Sequence, residues 1–234
     1  MRQKINLVRH LGIFFITIII FFLGVFISNN VENLRVEALY TQLQEQDLDY
    51  QNLVTESNYI NNLLLFKELD DNVSCSLIKG AYFTSISNLD NSRLKLEKYI
   101  NSGKVKQEEF ARIKSHYSNI QINYWMLAEK ISSLCDSKIN TILFFYADDK
   151  ICPECEDQGV HLNYVKQKLG DDILVFSLDT NKEGPIQLLK QKYSINELGV
   201  PTLIINEEVL GFSDNEKIFK KLCETGLENE VCKN

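Results

Sequence analysis

The hydrophobic pattern begins with an apolar run close to the N-terminus. Leu11 to Val31 are 21 consecutive residues without a charged side chain. At about 1.5 Å per residue, a helix of this length spans roughly 30 Å, the thickness of a bilayer's hydrocarbon core. We predict a transmembrane signal anchor at residues 11–29, in contact with membrane lipid. A cleaved signal peptide and a buried core helix are the alternatives, but no A-x-A-like cleavage site follows the run.

The charges on either side of this run predict its orientation. Arg2, Lys4 and Arg9 precede the run, and Glu32 and Glu37 follow it. Because basic flanks tend to stay in the cytoplasm, residues 1–10 are predicted to be a cytoplasmic tail. We therefore expect a single-pass membrane protein with residues 32–234 outside the cytoplasm.

Residues 30–137 repeat apolar side chains at alternating spacings of three and four, which is typical of helices. The stripes run from Val36 to Leu64, from Ile78 to Tyr99 and from Phe110 to Leu134, and Asn101-Ser102-Gly103 marks a turn between the last two. Because neighbouring stripes can cover one another, we predict an intramolecular helical bundle. A coiled coil that joins two copies in a homodimer through the first stripe is the alternative.

The pattern changes near residue 138, where short apolar runs replace the long stripes. Such runs, rich in β-branched and aromatic residues, predict buried strands with helices between them. The predicted order over residues 138–234 is β-α-β-α-β-β-α, an α/β fold with a central four-stranded sheet. The strands are predicted at residues 141–146, 172–178, 202–205 and 209–211.

Composition narrows the functional classes. Asp+Glu 32 exceed Lys+Arg 25, which gives a formal net charge of −7. Because nucleic-acid-binding surfaces are basic, no nucleic-acid partner is expected. The 6 cysteines are too few for a disulfide-dense small scaffold, but their positions carry information.

The motif Cys152-Pro153-Glu154-Cys155 follows a predicted buried strand and opens a predicted helix. A C-x-x-C occurs in zinc sites, haem attachment and redox sites. Zinc usually needs two further ligands at a suitable spacing, which the other cysteine pairs do not offer, and haem attachment needs a histidine where Glu156 stands. We therefore expect no metal and interpret the motif as a redox-active dithiol.

The position of the motif assigns a role to each thiol. A helix N-terminus favours the thiolate, which is the reactive form of cysteine. Cys152 is expected at the exposed end as the nucleophile, and Cys155, one turn later, as the more buried resolving thiol. Pro153 lacks an N–H, which the first turn of a helix tolerates, and Pro153 and Glu154 are expected to tune the thiol pKa.

From residue 138 to about 226, the chain resembles the thioredoxin superfamily in its element order and in two motifs. The first motif is the C-x-x-C, and the second is Gly199-Val200-Pro201-Thr202, whose proline lies 46 residues after Cys155. The resemblance implies a cis proline at Pro201, packed beside the C-x-x-C. It also implies that Val200 offers backbone hydrogen bonds to an extended substrate, and that no cofactor is needed beyond the Cys152–Cys155 disulfide.

Two features depart from the family pattern. Thioredoxins carry a buried acidic residue on the strand before the motif, and Phe144 stands there in this chain. Because like charge opposes thiolate formation, carboxylates near the motif should make Cys152 less acidic and give a moderate or reducing potential. Five carboxylates lie close to it in sequence, at Asp148, Asp149, Glu154, Glu156 and Asp157.

The remaining cysteines are predicted to form two structural disulfides. Cys75 begins the second helical stretch and Cys135 ends the third, so an antiparallel hairpin would bring them together. Two free buried thiols are the alternative for this pair. Cys223 and Cys232 flank a short polar tail, which a disulfide would pin to the last helix. A second, shuttling dithiol is the alternative there.

These observations predict a membrane-anchored, extracytoplasmic thiol–disulfide oxidoreductase. Its expected partners are exported proteins that contain cysteines, and an upstream redox partner, for which a membrane-embedded protein is one candidate. Two alternatives stay open. One is a non-catalytic adaptor that uses the fold only for binding, and the other is a dedicated reductant in cytochrome or metal-centre assembly.

Overall fold

The structure is a computed structural model, and the chain divides into two compact units, residues 1–49 and 50–234. It describes residues 12, 14–27, 48, 51–52, 54–55, 57–60, 62, 70–101, 107–135, 137–181 and 184–233. The predicted cytoplasmic tail and most of the first heptad stripe lie outside the described residues. Elements are numbered below within the second unit.

Residues 14–27 of the first unit are helical, and nearly all of their apolar side chains are exposed. The predicted anchor also includes residues 11, 13, 28 and 29, which are outside the described part of the chain. Among the residues that the structure does describe, no helix is both long enough and apolar enough to cross a bilayer.

The second unit begins with a hairpin of two long helices, α1 (Asp71–Asn101) and α2 (Gln107–Leu134). Their apolar stripes face each other within one chain, as the bundle prediction requires. Tyr82 stacks on Tyr124 with ring centroids 4.8 Å apart. At the base of the hairpin, Ile60 from the end of the first stripe packs into the same small core as Ile78 and Leu127. Within the described residues, the second and third stripes therefore cover each other in one chain.

A four-stranded sheet follows the hairpin, in the spatial order β2-β1-β3-β4. β1 (Asn140–Tyr146) pairs in parallel with β2 (Ile173–Asp179) and antiparallel with β3 (Thr202–Ile205), which in turn pairs antiparallel with β4 (Glu208–Leu210). A parallel pair needs a crossover connection, and a helix supplies it here. The predicted mixed order of strands and helices is confirmed.

The helices that accompany the sheet are α3 (Cys155–Leu169), α4 (Pro185–Lys192), α5 (Ile195–Leu198) and α6 (Asn215–Glu224). Short 3-10 helices occupy Gly170–Asp172 and Glu230–Lys233. The two 3-10 helices and the one-turn helix α5 were not predicted. Helix α5 is four residues long and follows α4 so closely that periodicity gives it no separate signal.

The two faces of the sheet have different covers. Successive side chains of a strand point to opposite faces. Phe144 lies in one apolar cluster with both cysteines of the C-x-x-C and with residues of α3 and α6, which we call the cysteine-side cluster. Phe145 lies in a second cluster with residues of α2 and α4, which we call the hairpin-side cluster. The predicted domain boundary at residue 137 therefore falls inside one compact unit.

Candidate active site

The C-x-x-C lies in a turn between the end of β1 and the start of α3. The backbone N–H of Cys152 donates to the carbonyl oxygen of Asp148 (2.9 Å), and that of Cys155 donates to the carbonyl of Cys152 (3.2 Å). A disulfide joins Cys152 to Cys155, with their Cα atoms 5.4 Å apart. The turn thus places the two sulfur atoms at the N-terminus of α3.

The helix starts three residues later than predicted, at Cys155. Pro153 and Glu154 lie in the turn before it and are both exposed, and the Glu154 side chain makes no capping hydrogen bond. The reason is local, since the backbone of residues 148–152 is already committed to a turn that ends at Cys152. Pro153 therefore precedes the first helical turn rather than forming part of it.

The expectation that Cys152 is the exposed thiol and Cys155 the buried one is wrong in this oxidised state. The relative exposure is 1% for Cys152 and 6% for Cys155. Both belong to the cysteine-side cluster, together with Ala147 and Leu203, and Val200 packs against it. The N–H bond to Asp148 holds Cys152 against this apolar interior. Attack on the Cys152 sulfur by another thiolate therefore requires the turn to move.

The proline loop lies beside this cluster. The peptide bond between Val200 and Pro201 is cis, Pro201 is buried, and Val200 is half-buried. Gly199 has φ +80°, a conformation that L side chains rarely adopt, and its carbonyl accepts a hydrogen bond from Thr202 Oγ1 (2.7 Å). The structure thus brings Val200 and the cysteine pair into one region.

The charged residues around the motif are exposed. Phe144 is buried within the cysteine-side cluster, so the strand before the motif presents an aromatic ring there. Because exposed charges are screened by water and salt, each rim carboxylate acts weakly on the thiols. The exposed residues of this rim are Asp148, Asp149, Lys150, Glu154, Glu156 and Asp157.

A pair of buried hydrogen bonds that no sequence pattern predicts supports the start of α3. The Gln158 side chain is fully buried, donates through Nε2 to the carbonyl of Ser213 (2.9 Å) and accepts through Oε1 from the N–H of Ser213 (2.8 Å). It ties the first turn of α3 to the segment before α6. A lone glutamine in an amphipathic helix looks like a surface residue, so no sequence signal distinguishes it. His161 lies next to these hydrogen bonds, with Nδ1 3.1 Å from Asn215 Oδ1.

The other four cysteines are also paired. Cys75 is joined to Cys135 at the base of the hairpin, and Cys223 to Cys232 at the C-terminal tail. Every cysteine of the chain is therefore in a disulfide. Within the described part of the chain, no three His, Cys, Asp or Glu side chains are grouped so that they could hold a metal ion.

No family model and no curated protein matches the chain. One similar solved structure is thioredoxin-2, described as a component of the malaria parasite's protein secretion machinery. It is 21% identical, with a TM-score of 0.31, over 38% of this chain and 86% of that one. A second, described as a malarial protein, is 22% identical with a TM-score of 0.31, over 39% of this chain and 100% of that one.

Proposed function

We propose that this protein is a thiol–disulfide oxidoreductase of thioredoxin-like type, with Cys152 and Cys155 as its catalytic pair. One observation carries the proposal. A disulfide between cysteines three positions apart opens a helix, and a residue of a cis-proline loop packs against the same cluster. A disulfide across so short a gap contributes little loop entropy to stability, since the gain grows with loop length. A redox role therefore explains this disulfide better than a purely structural role does.

The proposed reaction is thiol–disulfide exchange. In the reduced protein, the Cys152 thiolate attacks one sulfur of a substrate disulfide, which forms a mixed disulfide and releases the other substrate sulfur as a thiolate that takes up a proton. Cys155, after losing its proton, then attacks Cys152 Sγ and expels the second substrate thiolate. The net result is a reduced substrate dithiol and the Cys152–Cys155 disulfide. The reverse sequence oxidises a substrate dithiol.

We expect a moderate or reducing potential for this pair. The exposed carboxylates of the rim disfavour a thiolate at Cys152, and a less stable reduced form lowers the tendency to act as a strong oxidant. Lys150 offsets one of the negative charges. In the exchange, Val200 would offer its backbone to an extended substrate segment, and Pro153 and Glu154 would influence the thiol pKa.

The proposed location is outside the cytoplasm. Exported proteins that contain cysteines are the proposed substrates, and a separate redox partner restores the starting redox state of the Cys152–Cys155 pair. Two observations support this location. All cysteines are paired, which is typical of oxidising compartments. Helix 14–27 also exposes a run of apolar side chains that lipid would cover.

The test uses the full chain and its own second short disulfide as the matched control. Cys152→Ser and Cys155→Ser should each abolish catalysed reduction of a model protein disulfide, a loss of at least about a hundredfold. The double variant Cys223→Ser/Cys232→Ser should keep its activity. Cys155→Ser should also accumulate a mixed disulfide with substrate through Cys152, which mass spectrometry detects.

The alternative that an observation favours is a non-catalytic adaptor. Burial of Cys152 to 1% exposure is what a purely structural disulfide would show. In that case, the Cys152→Ser variant would turn over no differently from the parent chain and would only melt at a lower temperature. Activity and stability are therefore measured on the same preparations.

A further inference from the structure

An ion pair that the exchange chemistry does not use links the helical hairpin to the sheet. Lys114 Nζ of α2 lies 2.6 Å from Asp179 Oδ2, and the two side chains are only 20% and 5% exposed. Charges are seldom buried to this extent unless they are paired. The pair joins a helix outside the thioredoxin-like region to the last residue of β2.

The ion pair lies on the side of the sheet that carries the cysteines. Asp179 is the register partner of Tyr146 in the parallel β1–β2 pair, so the two side chains share a face. Tyr146 packs against the cysteine-side cluster, and its ring centroid is 5.5 Å from that of Phe144. Lys114 Nζ is 5.2 Å from the Tyr146 ring centroid. The hairpin therefore delivers a cation past the edge of β2 to the cysteine side.

Hydrogen bonds connect the ion pair to the turn that carries Cys152. Asp179 Oδ1 accepts from the N–H of Asn181 (3.0 Å). The carbonyl of Tyr146 accepts from the N–H (2.8 Å) and Oγ1 (3.0 Å) of Thr180. Two residues after Tyr146, the carbonyl of Asp148 holds the N–H of Cys152. Hydrogen bonds therefore connect the ends of β1 and β2 to the turn that begins the motif.

The lysine is held in its charged form. Burial lowers the pKa of Lys114, but the hydrogen bond to Asp179 and the neighbouring Tyr146 outweigh it and raise the pKa overall. In the intact pair, the electric fields of the two opposite charges largely cancel at points further away than their separation. When one partner is removed, the other becomes a lone, poorly solvated charge whose field extends further than that of an exposed group.

We propose that the Lys114–Asp179 pair sets the redox balance of the Cys152–Cys155 dithiol. Neither residue touches the sulfur atoms, so both act through their electric field at the thiolate. The proposal rests on the proposed function, since it assigns a regulator to that same site. Phe144 of β1 is apolar, and Asp179 is the buried carboxylate at the described end of β1 and β2 on the cysteine side.

The test compares two single variants that should shift the oxidation equilibrium of the dithiol in opposite directions. In the full chain, Lys114→Met leaves the Asp179 carboxylate alone and should destabilise the Cys152 thiolate. The dithiol then becomes about tenfold easier to oxidise by glutathione disulfide, about 30 mV for this two-electron couple. Asp179→Asn leaves the Lys114 cation alone and should shift the same equilibrium about tenfold the other way. The double variant should return to within about threefold of the parent, because both charges are gone.

The measurement is the oxidation equilibrium against glutathione, with thiols trapped and counted by mass spectrometry. The alkylation rate of Cys152 against pH gives the thiolate fraction independently. The rim carboxylates and Lys150 are unchanged in every variant, so they cancel in the comparison. The matched control is the exposed pair Lys192–Glu207, 2.9 Å apart. Lys192→Met and Glu207→Gln should leave the equilibrium unchanged.

Two results would overturn the proposal. One is a shift in the same direction for both single variants, which would mean that the pair is only a structural clamp. The other is no shift in either while the far-ultraviolet spectrum stays native. Lys114→Arg keeps the charge and should keep the equilibrium within about twofold, so folding losses in Lys114→Met are separated from lost charge. If the parent chain does not catalyse thiol–disulfide exchange, the proposed function is wrong, and the role proposed for the ion pair is wrong with it.

Discussion

The two faces of the sheet are built from alternate residues of the same strands, but different elements pack against them. On the cysteine side, Phe144 packs with Cys152 and Cys155 under α3 and α6. On the hairpin side, Phe145 packs with Trp125 and other residues of α2. One face holds the Cys152–Cys155 disulfide, and the other packs against the helical hairpin. A strand that alternates sides can therefore bury a disulfide on one face and a helical hairpin on the other.

A side chain of the hairpin also covers the free edge of β2. Gln121 of α2 is buried, donates through Nε2 to the carbonyl of Ser177 (3.2 Å) and accepts from the N–H of Ser177 (2.9 Å). A side-chain amide thus occupies backbone groups that an additional strand would otherwise pair with. Exposed strand edges promote association with other chains, and covering them suppresses it.

The largest expected effect comes from removing the hairpin. The fragment 138–234 uncovers Phe145, Phe176 and Leu143, and each buried side chain of this size is worth about 1.5–3 kcal/mol. A domain has only about 5–15 kcal/mol of stability, so the fragment should lose cooperative unfolding and bind a hydrophobic dye. Circular dichroism melts of 138–234 and of 50–234 make the comparison. A cooperative melt of both fragments at the same temperature would contradict it.

A single truncation on the hairpin side should be nearly as informative. Phe145 is fully buried, and Phe145→Ala should cost about 3–5 kcal/mol in the free energy of unfolding. Phe83→Ala is the control, since Phe83 is 65% exposed on α1 and should cost less than about 0.5 kcal/mol. Urea unfolding measures both. Equal costs for the two variants would mean that the hairpin side is not a packed core.

The sheet edge should respond more mildly. Gln121→Leu leaves the N–H and carbonyl of Ser177 without their partner and should cost about 1–3 kcal/mol. Gln121→Glu keeps the acceptor for the Ser177 N–H and should cost less. Hydrogen exchange at the Ser177 amide locates the change. If this amide exchanges at the parent rate in Gln121→Leu, the side-chain pairing does not protect the edge.

The smallest effect concerns pH. Glu129 Oε1 accepts from Thr141 Oγ1 (2.8 Å), and burial raises the pKa of the Glu129 carboxyl despite that bond. A carboxyl with a raised folded-state pKa favours folding when protonated and opposes it as pH rises through that pKa. Glu129→Gln should therefore raise the Tm by a few degrees at pH 7.

The same variant should bring no gain at pH values below the unfolded-state pKa of a glutamate, about 4.3. There the parent carboxyl is protonated in both states, so the two chains should melt together. Thermal melts at pH 7 and pH 4 measure the difference. A loss of equal size at both pH values would show that the hydrogen bond geometry, and not the charge, decides.

Local pattern was enough to predict the chemical motif and most elements. The apolar run before Cys152 and the segment after Pro201 have the lengths and compositions of strands, and the structure has strands at Asn140–Tyr146 and Thr202–Ile205. The first residue of α3 was predicted three positions early, because the hydrogen bonds that make residues 148–152 a turn involve no periodic side chains.

The sequence by itself determined most of the elements and the cysteine pair of the C-x-x-C motif, because the hydrophobic period and the close spacing of Cys152 and Cys155 lie in neighbouring positions. Only the tertiary structure decided that Cys152 is buried, that Gln121 covers an edge, and that Lys114 meets Asp179 across 65 positions of the chain. These are properties of packing between distant segments. Burial and charge pairing depend on what another element places nearby, and no local pattern encodes that.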